Sequence, residues 1–260
     1  MVNYGRVNIF GHGGGRFTTL FQSRATGGLI FNTSGHQIHI DPGPGALLRC
    51  RECKVYPFKT DILMATHSHI DHVNDLNMMI EGVTNAATRK RGVLVTVKEV
   101  MDEIVTDYHK NLLKEIIIVK SGMEVKINNL RVLAVKCSHL KSECVGFKFY
   151  TNNYCLYYTG DTSVYPGFEK NFEDVDFLIA NVMRPDNNQL PHHMCTDDLI
   201  SVLKNSEHEI KLVIINHFGT IMLRAGAENE AARIMKETGV KTIAAADSLI
   251  VKLNDNLLKK

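Results

Sequence analysis

The stretch Thr66-His67-Ser68-His69-Ile70-Asp71-His72 concentrates more metal-binding chemistry than any other part of this chain. Neutral imidazole and carboxylate are ligands that divalent zinc, iron or manganese accept, and catalytic sites built from them keep a position open for water. In an extended segment His67 and His69 point the same way, whereas Asp71 and His72, at the turn into a helix, swing back toward a second point. Two neighbouring metal positions follow from that alternation. Such a run could also be a plain polar loop. However, candidate ligands wedged between a buried strand and a helix repel one another when protonated and go unsatisfied when neutral, unless a cation binds them.

The elements that must position this stretch are legible around it. Residues 61–65 form an apolar run of strand length, and Leu76, Met79, Ile80 and Val83 recur at helical spacing, so the motif sits on a strand-to-helix loop. Upstream, residues 6–10 read as a strand running into Gly11-His-Gly-Gly-Gly15. The spacing that would complete a nucleotide-binding glycine fingerprint lands on Arg16, and no helical pattern follows at once, so His12 is expected to be a turn residue. Residues 29–32 and 37–40 form a hairpin that delivers Asp41 to a strand end.

Downstream, strands are expected at 92–97, 115–119, 125–127 and 130–135, with one helix over 98–108. The strand at 130–135 leads to His139, and a hairpin of 145–149 with 154–158 across Asn152-Asn153 leads to Asp161. A strand at 177–180, a helix through Leu199, Ile200 and Leu203, and a buried strand at 211–215 lead to His217. A helix at 225–238 and strands at 241–246 and 249–253 then close the sheet. Strands with helices interspersed in both halves suit an α+β fold of two facing mixed sheets covered by helices, an αββα sandwich.

With 260 residues the chain can bury one sizeable core, and a single domain over residues 1–260 is expected. The formal net charge of +2 gives no field for gripping an extended nucleic acid, although it suits a small anionic substrate. Residues 2–6 lack a signal-peptide pattern and no apolar run reaches membrane-spanning length, so a cytoplasmic protein with no membrane partner is expected. Cys50, Cys53, Cys137, Cys144, Cys155 and Cys195 follow no disulfide framework and read as reduced thiols. Cys50-Arg-Glu-Cys53 looks like half of a zinc ribbon, but the second half is missing. A short amphipathic helix after the Gly43/Gly45 turn explains that segment better.

The H-x-H-x-D-H run from His67 to His72 resembles the signature of the metallo-β-lactamase-fold hydrolases. The resemblance extends in family order to Asp41 in Ile38-His-Ile-Asp-Pro-Gly-Pro-Gly45, His139 in Val135-Lys-Cys-Ser-His139, Asp161 in Tyr158-Thr-Gly-Asp-Thr162 and His217 in Ile214-Ile-Asn-His-Phe-Gly219. It implies two divalent metal ions, Zn2+ foremost with Mn2+ or Fe as alternatives. His67, His69 and His139 would take the first, Asp71, His72 and His217 the second, and Asp161 would bridge them. Asp41 would orient the metal-binding loop without coordinating. The nucleophile implied is a metal-bridged hydroxide, which leaves Ser68 as a spacer.

Within that superfamily, Pro191-His-His-Met-Cys-Thr-Asp-Asp198 resembles the extra histidine of the phosphodiesterase branch, which includes tRNA 3′-end endonucleases and phosphoribosyl cyclic phosphodiesterases. His193 aligns better than His192 and, with Asp71, is assigned to catalysis. The alternative makes both histidines loop surface before a helix capped by Thr196 or Asp197. His139 and Asp161 are separated by little more than one hairpin, which leaves no room for a tRNA-gripping arm and disfavours long RNA. The resemblance therefore implies a phosphodiesterase acting on a small phosphodiester or cyclic phosphate. Alternatives are a lactonase, thioesterase or other acyl hydrolase on the same metals, and a non-hydrolytic metal-binding or redox module. A homodimer is compatible with all of these. Arg16, Arg24 and Arg184 could hold a phosphate or be solvated loop charges.

Overall fold

The structure, a computed structural model, describes residues 5–139 and 143–253. Residues 2–4 of the segment read for a signal peptide lie outside them. Strands in chain order are β1 (Arg6–Ile9), β2 (Leu29–Thr33), β3 (His36–Ile40), β4 (Ile62–Ala65), β5 (Val93–Thr96), β6 (Glu115–Ile118), β7 (Glu124–Ile127), β8 (Leu130–Lys136), β9 (Val145–Tyr150), β10 (Cys155–Tyr158), β11 (Phe177–Arg184), β12 (Met194–Cys195), β13 (Leu212–Asn216), β14 (Thr242–Ala244) and β15 (Leu249–Lys252). Helices are α1 (Gly15–Leu20), α2 (Ala46–Glu52), α3 (Ile70–Val73), α4 (Leu76–Val83), α5 (Lys98–Glu103), α6 (Asp107–Leu112), α7 (Thr196–Asn205), α8 (Thr220–Ala225) and α9 (Ala227–Thr238).

The described residues fall into two compact units. The first holds the described residues of Met1–His12, Thr19–Lys120 and Ala246–Asn254. Its sheet runs β15-β1-β2-β3-β4-β5-β6. Pairing is antiparallel from β15 to β3 and parallel from β3 to β6. The β2–β3 hairpin closes through Ser34 and Gly35, both at positive φ, the turn that matches strand twist. All of β4 is buried, as a central parallel strand covered on both faces must be. Leu76, Met79, Ile80 and Val83 are the buried face of α4.

The second unit is drawn from Gly13–Thr18 and Ser121–Ala245. Its sheet runs β14-β13-β11-β10-β9-β8-β7, with β12 paired to β11. Here pairing is antiparallel from β7 to β10 and parallel from β10 to β14. Each sheet thus has one place where antiparallel pairing gives way to parallel, at β3/β4 and at β10/β11. Parallel neighbours end on the same side of a sheet, so loops after β3 and β4, and after β10 and β13, emerge together, where α/β proteins place their sites.

Four expectations are corrected. A helix, α1, does follow the Gly11–Gly15 loop, and His12 is a buried residue clamped by Asp247 rather than a turn residue. The helix expected over 98–108 is two, because the Thr106 side chain accepts the His109 amide and starts α6 afresh. The helix expected at 225–238 is likewise two, divided at Gly226, whose φ of +90 no helix accommodates. The last two strands do not close one sheet: β14 joins β13, whereas β15 pairs with β1. Hydrophobic periodicity reports the burial of a strand, not its neighbour.

Cys50-Cys53 lies on and just after the expected helix, α2, and all six cysteines are free thiols. Burial pushes the Cys50 thiol up to about 12, so it is protonated at neutral pH. No helix among the described residues is long and apolar enough to cross a membrane.

Candidate functional site

In the first unit the ligand run leaves β4 at Thr66, and Asp71 and His72 fall in the first turn of α3. His67 is fully buried and His72 nearly so. Ring centroids of His67 lie 4.5 Å from His69 and 4.3 Å from His72, and His72 Nε2 is 3.8 Å from Asp71 Oδ2. The loop is folded onto itself by Asp41. This residue follows β3, holds a left-handed φ of +52, and is 3% exposed. Its Oδ1 accepts the Thr66 amide at 2.7 Å, and Oδ2 accepts Thr66 Oγ1 at 2.9 Å and His72 Nδ1 at 2.8 Å.

That network also fixes tautomers. Since the Thr66 hydroxyl gives its one proton to Asp41, the 3.0 Å contact between Thr66 Oγ1 and His67 Nδ1 has the imidazole as donor. His67 and His72 therefore both carry the proton on Nδ1, which leaves each Nε2 with a lone pair, the arrangement of metal-binding histidines. Glycine is required beside this loop, because a Cβ on Gly43 would lie 2.0 Å from the Asp71 carbonyl oxygen. Ser68 Oγ donates to the Glu99 carboxylate of α5.

The second unit assembles its residues from separate strand ends. His139 follows β8, Asp161 follows β10, His193 precedes β12 and His217 follows β13. Asp161 is 1% exposed. Its Oδ1 is 3.4 Å from His217 Nε2 and its Oδ2 is 3.6 Å from His193 Nδ1. The ligand atoms of Asp161, His193 and His217 all lie within 4.8 Å of one another, a group that could hold a metal ion.

His193 is brought there by a tight turn in which its amide donates to the Leu190 carbonyl at 3.1 Å and His192 takes a left-handed φ of +69. The His193 ring stacks on His217 at 5.9 Å and 17°, and meets the His139 ring edge-on at 4.8 Å. His192 contributes its carbonyl, which accepts His139 Nδ1 at 2.9 Å and leaves Nε2 of that ring as the ligand atom too. Helix α7 is capped by neither Thr196 nor Asp197. Its N-terminal residue pair is Cys195, whose amide donates to Asp198 Oδ2 at 2.9 Å, and Asp198, the reciprocal half of a capping box. Arg24 donates to its neighbour Ser23's carbonyl, and Arg16 is exposed.

Two supporting residues escaped the sequence reading. Asn181, in the middle of β11 and 2% exposed, donates Nδ2 to Asp161 Oδ1 at 2.8 Å and so aims that carboxylate. Gly14 packs against His217, since a Cβ there would lie 2.3 Å from the ring. A buried asparagine inside an apolar strand was the available signal for the first; the Gly11–Gly15 run held the second without saying which glycine mattered. In each unit the donor chemistry fits a divalent cation. Imidazoles with Nδ1 committed to protein acceptors, beside buried carboxylates, are stable as a group only around positive charge.

The chain is similar to several known proteins. The family model described as beta-lactamase superfamily domain matches residues 36–218, from the start of β3 to just past His217. The uncharacterized protein MJ1374 of Methanocaldococcus jannaschii is 33% identical over 256 residues, covering 95% of this chain and 96% of that protein. YhfI from Bacillus subtilis, described as a metallo-β-lactamase fold protein, superposes with a TM-score of 0.80 at 16% identity, covering 96% of this chain and 99% of its own. A diphosphatase from the PhnP family does so with a TM-score of 0.72 at 16% identity, covering 96% and 98%. The αββα sandwich expected from the sequence is the fold these likenesses share.

Proposed function

The chain belongs to the beta-lactamase superfamily and is a metal-dependent hydrolase of the metallo-β-lactamase fold, and from that premise we propose that it hydrolyses a small phosphodiester or cyclic phosphate at a dinuclear metal centre. The observation that carries the reading is His193, an imidazole next to Asp161 and stacked on His217. The family's motif order assigns His67, His69 and His139 to one ion and Asp71, His72 and His217 to the other, with Asp161 shared. A single domain over residues 1–260 is supported by a family match that runs through residues of both units. Divalent cations, zinc foremost, would supply water acidified toward neutrality and positive charge for the phosphoryl oxygens.

The chain's own residues do the rest. Asp41 and Asn181 orient ligands, and the burial of His67, His72 and Asp161 excludes competing water. His193 holds a proton for the departing oxygen. A ribosyl or alkyl oxygen leaves poorly as an alkoxide, and a positioned acid is worth about 10²–10⁴-fold, whereas nitrophenolate leaves unaided. His193→Ala should therefore slow a ribosyl diester far more than bis-nitrophenyl phosphate, with metal content unchanged. Equal losses on both substrates would sink the assignment.

The substrate is expected to be small, because the segment between His139 and Asp161 is a hairpin and the net charge of +2 neutralises few phosphates at once. A cytoplasmic setting is supported by the six free thiols. Turnover of the metal-loaded protein on panels of phosphodiesters, cyclic nucleotides, lactones, thioesters and β-lactams tests the whole reading. Hydrolysis confined to acyl substrates would replace it with an acyl hydrolase.

A further inference from the structure

Away from the ligand loops, the first unit carries a cavity of about 560 Å³ lined by Leu47, Leu48, Cys50, Arg51, Lys54, Val55, Tyr56 and Pro57. It forms because α2 has two apolar faces. Ala46 and Cys50 face the core, while Leu48 on the other side is 55% exposed. Across the cavity the chain returns as Val55-Tyr56-Pro57, and Tyr56 is 54% exposed. An isolated exposed leucine needs no explanation, but several around one concavity of this size make a wall of the kind that holds small molecules, whose sites span roughly 300–1,000 Å³.

The polar groups at this wall are of one sign. Among the described residues Arg51 and Lys54 are the charged side chains that line it, and no carboxylate does. Among the described residues neither makes an ion pair, in contrast to neighbouring Arg49, which lies 2.7 Å from Glu52. A third cation, Lys59, sits over the Tyr56 ring at 5.2 Å. Lys54 also occupies the first position past the helix end with a left-handed φ of +54, where glycine is the usual residue. A cavity of nearly equal volume in the second unit, about 550 Å³, is instead mainly acidic, with Glu169, Glu173, Asp174 and Glu207 outnumbering Lys170 and His208 along it.

We propose that the cavity beside α2 binds a small anionic amphiphile, an apolar body carrying one carboxylate, sulfonate or phosphate. The body lies against Leu47, Leu48, Val55 and Tyr56, and the anionic head meets Arg51 and Lys54. This site is separate from the hydrolytic ligands and does not depend on what they hydrolyse.

The test uses the full-length, metal-loaded protein and three ten-carbon probes below their micellar concentrations: decanoate, decanol and decyltrimethylammonium. Each competes with anilinonaphthalene sulfonate, whose fluorescence reports occupancy. Decanoate should displace the dye at concentrations about tenfold lower than decanol, with the ammonium weakest, since opposite charges at contact near a protein surface attract on this scale. The double variant Arg51→Gln/Lys54→Gln should bring decanoate down to decanol and leave decanol unchanged. Leu48→Glu should weaken both decanoate and decanol, decanoate the more because the new carboxylate repels it, and melting temperatures near that of the parent would certify folding. Equal affinity for the three probes overturns the proposal, as does a decanoate preference that survives the double variant. So does sedimentation showing that Leu48→Glu dissolves a dimer, because a second copy would then be the occupant.

Discussion

The two ligand sets are built in opposite ways. In the first unit His67, His69, Asp71 and His72 come from one loop, and a single carboxylate, Asp41, ties that loop down through Thr66 and His72. In the second unit the candidate ligands His139, Asp161 and His217, with the proposed acid His193 beside them, come from four separate chain segments, and each is steered by its own neighbour: the His192 carbonyl for His139, Asn181 for Asp161, the Leu190 turn for His193 and Gly14 for His217. A contiguous set can be disordered as a whole by one substitution behind it. A dispersed set should fail one ligand at a time, except at the residue the others share.

That exception gives the largest expected effect. If the proposed two-ion centre holds, Asp161→Ala should lower hydrolysis by at least about 10³-fold and weaken both ions, because its carboxylate would serve both. His217→Ala should lose one equivalent. Elemental analysis after reconstitution reads both, and an Asp161→Ala protein that keeps two metals would break the assignment.

Acid should act on the foundation of the contiguous set. His39, two residues before Asp41 on β3, is completely buried, and burial lowers its pKa to about 4 against a Gly27 carbonyl contact that favours the charged form. Between pH 6.5 and about 4 the unfolded chain takes up a proton that the folded chain refuses, so this contribution to stability falls as pH drops through that window. The loss is on the order of 3 kcal/mol. Urea unfolding at pH 7 and pH 4.5 measures it, and His39→Leu should flatten the difference. An unchanged difference would show that other groups carry it.

Asp41→Asn comes next. It leaves a buried amide where a carboxylate accepted three hydrogen bonds, and the expected cost is about 10–100-fold in metal affinity, spread over the ligands of the first unit. Asn181→Ala removes one hydrogen bond to a charged acceptor, about 1.5–3 kcal/mol, and its effect should be confined to the affinity that depends on Asp161. Competition with a chelator compares the two. Equally spread effects would erase the distinction between a loop held at one point and ligands held singly.

Much of this was present in the residue order. The His67–His72 run announces its chemistry because adjacent ligands need only a local turn to converge, and the apolar runs before Asp41, His139, Asp161 and His217 are short enough to be strands ending at a polar residue. Whether a helix continues or breaks was less legible. At Thr106 and Gly226 a cap and a positive φ override an apolar pattern that reads straight through them.

The sequence by itself offered the candidate donors and the strand ends that most of them follow, which local spacing decides without knowledge of any partner, and the resemblance of their motifs pointed to the superfamily. Only the tertiary structure decided that His193 rather than His192 turns its ring to Asp161, that Asn181 supports that carboxylate, and that β14 and β15 part to different sheets. Each of those rests on contacts between residues far apart in the chain, where pairing is chosen by the packing of a whole sheet and no short-range pattern encodes it.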